Sequence, residues 1–304
     1  MSKLFKKREY KINFMGQAKF AYVLSVILLV VSIVSFTTRG LNYGIDFVGG
    51  VQIEATSENT IQMEEVRSKL SFLKDLSLQS VGTEEKGILI QAQPEGENSN
   101  ALLTKIKDAL GPGYSYNDVQ IVGPSVGEEL KYKSLLASIL ALLAICVYIW
   151  FRFEWPFALG CLLALAHDMI IVVGFFSLFQ IEFDMVVVAG LLSLAGYDCN
   201  DTIVSYDRMR ENLKKYRKAT ICELLNRSTN ETLSRTILTS LTTLFVVLVL
   251  LFVGGETLKG FSITMVLGTI LGTYSSIYLA MPLLQYFDVR SVGNNTDATP
   301  DFNK

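Results

Sequence analysis

The chain has 304 residues, of which 50% are hydrophobic and only 18% are charged, and its mean hydropathy is +0.38. This composition is typical of an integral membrane protein and argues against a soluble globular domain. The formal net charge of −2 indicates little by itself, because the distribution of the charges matters more, and we expect no nucleic-acid partner.

Six apolar segments meet or nearly meet the length of about 20 residues that a helix needs to cross a bilayer. In chain order they are 20–36, 134–150, 157–179, 185–206, 236–253 and 261–284. Basic residues precede the first segment (Lys3, Lys6, Lys7, Arg8, Lys11 and Lys19) and follow the fourth (Arg208, Arg210, Lys214, Lys215, Arg217, Lys218 and Arg227). Because such residues remain cytoplasmic, the pattern predicts six transmembrane helices with both termini in the cytoplasm.

Residues 37–133 are therefore expected outside the cytoplasm, as an α+β domain with its linkers. Apolar periodicity predicts strand, helix, strand, strand, helix and strand, at 51–55, 61–72, 76–81, 87–93, 101–110 and 118–122. This βαββαβ order is that of a ferredoxin-like domain, in which helices cover one face of an antiparallel sheet. The remaining parts are a cytoplasmic N-terminus (1–19), the five other membrane helices (134–284) with a basic cytoplasmic loop (207–234), and a cytoplasmic tail (285–304).

Asp198, Asn200 and Asp201 interrupt the apolar sequence of the fourth predicted span. A carboxylate at the centre of a bilayer costs about 2.5–3.5 kcal/mol on insertion scales. The spacing places Asp198 and Asp201 on one face of the helix. Since this face cannot contact lipid, it must face other helices or a water-filled path, where such carboxyl groups most often carry protons or ions. The alternative is that the acidic end of the span simply emerges into water.

The third predicted span carries His167 and Asp168 near its middle. Adjacent residues of a helix point about 100° apart, so the two side chains cannot share one narrow face. The burial argument favours a functional or network role for Asp168, while His167 is equally well explained as a hydrogen-bonding packing residue. Arg235, at the start of the fifth span, is either an interfacial anchor or the cation that faces the acidic helix.

Two glycine-containing segments flank the extracytoplasmic domain. Segment 40–50, with Asp46, Gly49 and Gly50, predicts a tight turn where the backbone closely approaches other elements, or else a flexible exit loop. Segment 122–130 contains Gly123, Pro124 and Gly127 and is either a stiff linker, able to transmit motion, or a site. The basic loop 207–234 is amphipathic and is expected to lie on the membrane surface, attracted to anionic lipid.

Several motifs taken together resemble the SecF members of the SecD/SecF family of bacterial protein-export proteins. They are GIDFVGG (44–50), VGPSVG (122–127), EW (154–155), HD (167–168), GY…NDTI…DR (196–208) and LSRTI (233–237). The resemblance implies a resistance-nodulation-division-type half-bundle in the bacterial inner membrane. It also implies pairing with SecD, association with the SecYEG channel and YajC, and use of the proton motive force to help export unfolded preproteins.

The resemblance further implies that Asp201 and Arg235 take part in proton movement. The family usually has Ser and an aliphatic residue where this chain has Asp198 and Cys199. Asp198 is thus either a second proton site or a like charge that perturbs Asp201, and a sodium-coupled variant is also conceivable because carboxylate and amide oxygens suit a hard cation.

Three other function classes are less well supported. A small-molecule exporter of the same superfamily normally needs two halves and larger periplasmic loops, and a membrane scaffold would need no buried carboxylates. The sequence contains no nucleophile–base set, nucleotide loop or metal motif, so we expect no enzyme, cofactor or metal. Its four cysteines all lie outside the predicted extracytoplasmic domain, which excludes a disulfide framework there.

Overall fold

The structure is a computed structural model that describes residues 12–73, 76–81, 86–93 and 99–290. Most of the predicted cytoplasmic N-terminus (1–19) and of the predicted tail (285–304) lies outside these described residues. The chain divides into two compact units: Met1–Leu41, Ile139–Ile181 and Ala189–Lys304 form the first, and Asn42–Ser138 and Glu182–Val188 form the second.

The described elements follow one another in a simple order. They are α1 (Phe14–Arg39), β1 (Asn42–Tyr43), α2 (Ile45–Val48), β2 (Gly50–Thr56), α3 (Met63–Lys69), β3 (Leu76–Val81), β4 (Gly87–Ala92), α4 (Ser99–Leu110), β5 (Ser115–Val122), α5 (Pro124–Arg152), α6 (Trp155–Phe179), β6 (Glu182–Phe183), α7 (Met185–Lys215), α8 (Ile221–Val253), α9 (Lys259–Ser275) and α10 (Met281–Leu283). A π-helical turn, Ser276–Ala280, joins α9 to α10.

Within the described ranges, five helices are long and apolar enough to cross a membrane: α1, α5, α6, α8 and the helical run Glu256–Tyr286. Such a set identifies a polytopic helical membrane protein. The long helix α7 is not among the five, since acidic and amide side chains occupy its middle.

The first unit is a helix bundle with a buried apolar core between α1, α5, α6, α7, α8 and the C-terminal helices. Small residues allow close packing: Ser35 of α1 and Ser177 of α6 are hydrogen-bonded at 3.1 Å. Tyr206 of α7 is fully buried and donates a hydrogen bond to the carbonyl oxygen of Ala280 at 3.0 Å. These contacts fix the face that α7 presents to its neighbours.

The second unit contains a four-stranded antiparallel sheet with the strand order β3-β4-β2-β5. Along the chain its elements are β2, α3, β3, β4, α4 and β5. In the central register Ile53 lies opposite both Ile90 and Val119. The apolar core of the unit consists of Val51, Ile53, Ala55, Ile61, Val66, Leu70, Ile88, Ile90, Ala92, Leu102, Ile106 and Leu110.

The prediction of a surface-lying loop at 207–234 is wrong. Helix α7 continues to Lys215 and α8 begins at Ile221, where Thr220 and Glu223 form a capping box. Met209, expected on the lipid side of the loop, is fully buried in the bundle core. The apolar stripe thus packs against the chain itself, and Asn212 joins the two helices by donating to Ser228 Oγ at 2.9 Å.

Segment 122–130, predicted as either a stiff linker or a site, is largely helical in the structure. Helix α5 begins at Pro124, a residue that suits the first turn of a helix because its missing N–H would have no intrahelical partner there. Segment 40–50 is likewise ordered: it contains α2 and the strand β1, which pairs in parallel with β6.

Candidate functional site

Three carboxyl groups lie inside the helix bundle of the first unit. The exposed fractions are 0% for Asp168 on α6, and 2% and 5% for Asp198 and Asp201 on α7. Side chains of this kind are almost never buried in a membrane protein unless they have polar partners or a function. The partners of each group therefore define what the site can do.

Asp168 is held by donors on both of its carboxyl oxygens. His167 Nδ1 lies 2.7 Å from Oδ1, and the Ser275 hydroxyl of α9 donates to Oδ2 at 2.5 Å. The side chains of His167 and Asp168 are thus in contact, although the sequence predicts that they cannot share one narrow face. His167 Nε2 is buried without a hydrogen-bond partner among the described residues.

Asp198 faces α6 and α9. A Cβ atom at Gly272 would lie 2.6 Å from Asp198 Oδ1, so the carboxyl occupies the space that this glycine leaves open. The Asp198 carboxyl lies near that of Asp168. The sequence predicts Asp198 either as a second proton site or as a like charge that perturbs Asp201, and in the structure Asp198 faces α9 while Asp201 faces α8.

Asp201 faces α8, where two hydroxyl groups approach it at long distances. Thr239 Oγ1 is 3.4 Å from Oδ1 and Ser240 Oγ is 3.5 Å from Oδ2. Arg235 is exposed and acts on Asp201 only through space, with no ion pair between them in the described structure. Asn200 is also exposed and stands apart from the three carboxyl groups.

Sequence reasoning missed Gly272 and Ser275 as parts of this site. The repeat Gly268-x-x-x-Gly272 indicates close helix contact, and Ser275 continues the same stripe one turn later. That continuation is the signal that could have identified α9 as the partner of α6 and α7.

The second unit brings the two predicted glycine segments together. At Gly49, with φ of +77°, a Cβ atom would lie 2.8 Å from Pro124 Cα, and at Gly127 it would lie 2.9 Å from Gly49 N. At Gly50 it would lie 2.8 Å from the carbonyl oxygen of Ala92. These backbones approach so closely that no side chain fits between them. A Cβ atom at Gly123, in contrast, would meet only Val126, at 4.0 Å.

The same unit holds three carboxylates around the first turn of α7. Asp46 Oδ2 accepts a hydrogen bond from Met185 N at 3.1 Å, and Asp184 Oδ1 accepts one from Val187 N at 2.7 Å. Negative groups stabilise a helix N-terminus, so both serve as caps. Glu182 accepts from Gln91 Nε2 at 2.6 Å, and burial raises the pKa of Glu182 and of Asp184 above the ordinary range.

Metal binding receives no support from the described parts of the chain, where no group of three His, Cys, Asp or Glu side chains could hold an ion. The polar groups of the site are positioned by α6, α7, α8 and α9.

Two family models match the chain. The model described as the C-terminal part of the protein export membrane proteins SecD/SecF covers residues 102–290, and the SecD/SecF GG motif covers residues 34–61. The first match contains every residue of the carboxyl cluster. The second contains Asp46, Gly49 and Gly50.

Curated relatives match nearly end to end. Protein translocase subunit SecF of Pseudomonas aeruginosa is 43% identical over 92% of this chain and 92% of its own length. SecF of Vibrio alginolyticus is 41% identical over 91% of this chain and 90% of its own length. SecF of Desulfurispirillum indicum is 42% identical, with 94% of both chains covered.

Solved structures give the same result. The crystal structure of SecDF from Thermus thermophilus, described as a translocon-associated membrane protein, superposes with a TM-score of 0.81 at 36% identity. The match covers 91% of this chain but only 38% of the SecDF chain. SecDF in its super-membrane-facing form gives a TM-score of 0.68 at 34% identity, over 95% of this chain and 40% of the other. The chain belongs to the SecD/SecF family of protein export membrane proteins.

Proposed function

We propose that the chain is a SecF-type accessory subunit of the Sec machinery in the bacterial inner membrane. In this role it couples the proton motive force to late steps of preprotein translocation, together with SecD. The observation that carries the proposal is the near full-length similarity to relatives named protein translocase subunit SecF. The three buried carboxyl groups supply what such coupling requires.

In the proposed topology α7 also spans the membrane, as the fourth such helix in chain order, and it brings the number of spans to six. Its acidic middle is shielded by α6, α8 and α9, so it need not meet the apolarity of a lipid-facing helix. The Lys/Arg pattern then places both termini, including 1–19 and 285–304, in the cytoplasm and residues 37–133 on the other side. The antiparallel order β3-β4-β2-β5 supports a ferredoxin-like assignment for the extracytoplasmic domain.

In the proposed mechanism Asp201 alternates between a protonated and an ionised state. Its long contacts to Thr239 and Ser240 hold it only weakly, so that it can change partners when α7 and α8 shift. Movement of Arg235 toward or away from Asp201 then changes the proton affinity of the carboxyl. One charge that crosses 100 mV provides about 2.3 kcal/mol, enough to bias a packed two-state bundle.

We further propose that α5 transmits this change. The helix is continuous from Pro124 to Arg152, so that it joins the glycine-lined segment 123–127 to the rest of the membrane helix. Asp46, Gly49, Gly50, Gly123 and Gly127 are then coupling residues. Protons are the proposed coupling ion, since the buried carboxyl groups of Asp168, Asp198 and Asp201 can each bind and release one. Sodium is the alternative coupling ion, because carboxyl and hydroxyl oxygens also suit a hard cation.

The proposed partners are SecD, the SecYEG channel, YajC, membrane lipid and unfolded preproteins. The chain matches only 38% of the SecDF chain, which leaves room for a complementary SecD half. Helices α5 and α8 have exposed apolar faces to which SecD could bind. In their most apolar stretches only 11% and 17% of the residues are buried, compared with 56% in α6. Lipid or apolar helices must cover such faces.

Affinity purification of the chain in mild detergent tests the assignment. We expect SecD and SecYEG to copurify in the presence of native lipid. Copurification of a second exporter half, without any Sec subunit, would favour the small-molecule exporter instead.

The orientation can be checked on exposed Cys222, which should react with an impermeant maleimide only after cell lysis, because it lies at the start of α8 on the proposed cytoplasmic side.

A further inference from the structure

Asp168 and Asp198 bring two buried carboxyl groups to the same turn of α9. Asp198 Oδ1 lies in the space that Gly272 leaves open, and Asp168 accepts a hydrogen bond from Ser275. The other oxygen of Asp168 is in contact with His167. Asp198 Oδ1, in contrast, is buried with no donor from any described residue. Two ionised carboxylates have only acceptors and repel each other, so these two buried groups are favourable together when one of them is protonated.

The donor arrangement indicates which group carries the proton. A carboxylate that accepts two hydrogen bonds is stabilised in its ionised form, which describes Asp168. Asp198 receives no such bond and therefore gains most by being the neutral partner that donates. His167 is neutral for a related reason, since a charged imidazolium would bury an unpartnered N–H at Nε2.

We propose that Asp168 and Asp198 form a carboxyl pair that holds one proton, carried by Asp198 and donated to ionised Asp168. The pair is a proton-binding site in addition to Asp201, and it lies one helical turn from Asp201 on α7. The inference extends the proposed function, but the proton on the pair can be measured whether or not the chain supports export.

The surroundings of the pair make it a site for a proton rather than for an ion pair. Helix α9 presents Gly272 and the uncharged hydroxyl of Ser275 to the two carboxyl groups. The titratable groups near the pair are His167 and Cys161 on α6 and Asp201 and Cys199 on α7. Among the described residues, no lysine or arginine forms an ion pair with either carboxyl, and Arg235 acts on Asp201 instead.

The pair gives Asp201 a nearby source of protons. If the proton passes from the Asp198 carboxyl to the Asp201 carboxylate, Asp201 becomes neutral and Asp198 becomes ionised. Asp168 and Asp198 then face each other as two like charges, which favours prompt uptake of a new proton by the pair. The site would thus be reloaded after each transfer.

Infrared spectroscopy of the full-length protein in lipid vesicles, in H₂O and D₂O, tests the proposal. We expect a deuterium-sensitive C=O stretch of a buried, protonated carboxyl in the wild type. Asp198→Asn should lose this band yet remain folded, because the amide N–H₂ can donate to Asp168 in place of the carboxyl. The matched control Asp201→Asn should keep it. An unchanged band in Asp198→Asn, or loss of the whole band in Asp201→Asn, would overturn the assignment.

Two additions keep the test decisive. Asp198→Ser offers a second donor of smaller size, so that loss of the band can be checked if the asparagine variant unfolds. Dicyclohexylcarbodiimide, which modifies protonated carboxyl groups in apolar surroundings, should label the wild type at Asp198, as located by mass spectrometry. Labelling at Asp168 instead would contradict the placement of the proton. Neither readout depends on export, so a failure of the proposed function would be seen separately.

Discussion

The two units of the molecule bury different kinds of side chain. The sheet unit has an apolar core to which aliphatic residues of β2, β4, α3 and α4 contribute. The helix bundle also has an apolar core but encloses Asp168, Asp198 and Asp201 as well. Apolar burial is the ordinary source of stability, whereas a buried carboxyl group usually lowers stability or contributes little.

This difference distinguishes residues that are needed for folding from residues that are needed for function. The aliphatic core of the sheet unit can be explained by its packing alone. The carboxyl groups of the bundle have no such explanation, and apolar side chains of similar size would satisfy the packing at lower free energy. Changes in the sheet core should therefore act on stability, and changes at Asp201 should act on function.

The largest effect on stability is expected in the sheet core. Ile90 is fully buried in β4, opposite Ile53 and Leu78. Ile90→Ala should lower the free energy of unfolding of this unit by about 2–5 kcal/mol, because it removes apolar contacts and leaves a cavity. Hydrogen exchange of β2, β4 and β5 in the detergent-solubilised protein measures the change. Ile121→Ala, at a 39% exposed position of β5, is the control and should have a much smaller effect.

An intermediate effect is expected for the hydroxyl group that holds Asp168. Ser275→Ala removes a short hydrogen bond to a buried carboxyl and should cost about 1–3 kcal/mol. Thr239→Val removes the 3.4 Å contact to Asp201 together with local hydrogen bonds to the carbonyl oxygens of Arg235 and Thr236, whose intrahelical bonds remain. It should therefore cost less than Ser275→Ala, about 0.5 kcal/mol. Thermal unfolding in one detergent compares the two. An equal decrease in stability for the two variants would mean that Asp168 and Asp201 are held equally firmly.

The smallest effect concerns the pH dependence of the sheet unit. Burial raises the pKa of Glu182, so the folded state binds this proton more tightly than the unfolded state does. The stability from this group is complete below the unfolded pKa of about 4.3 and is lost as the pH rises through the raised pKa. In the Glu182→Gln variant the midpoint temperature of thermal unfolding should therefore fall less steeply with rising pH than in the wild type. Parallel curves for the two proteins would show that Glu182 is not responsible.

Local sequence patterns predict most of the secondary structure. Alternating residues predict strands at 76–81 and 87–93, and the structure has Leu76–Val81 and Gly87–Ala92. The predicted helix at 61–72 is shorter, Met63–Lys69. The parallel pairing of Asn42 and Tyr43 with β6 could not be predicted, because two-residue strands about 140 positions apart leave no periodic signal.

The partners of the buried carboxyl groups depend on helix packing and are harder to predict. A spacing of three residues leaves about 60° between Asp198 and Asp201 around the helix. That angle is enough for Asp198 to face α6 and α9 while Asp201 faces α8. The contact of Asp168 with Ser275, 107 residues later, likewise arises only when α6 and α9 pack together.

The most direct test of the central claim measures preprotein export in inner-membrane vesicles that contain SecD and the Asp201→Asn variant of this chain. Asparagine keeps the size and the hydrogen-bonding acceptor of the side chain but cannot exchange a proton. The account predicts normal insertion and normal association with SecD, together with loss of the part of export that depends on the proton motive force. Export that still responds fully to the proton motive force would contradict the account and leave Asp201 as a packing residue.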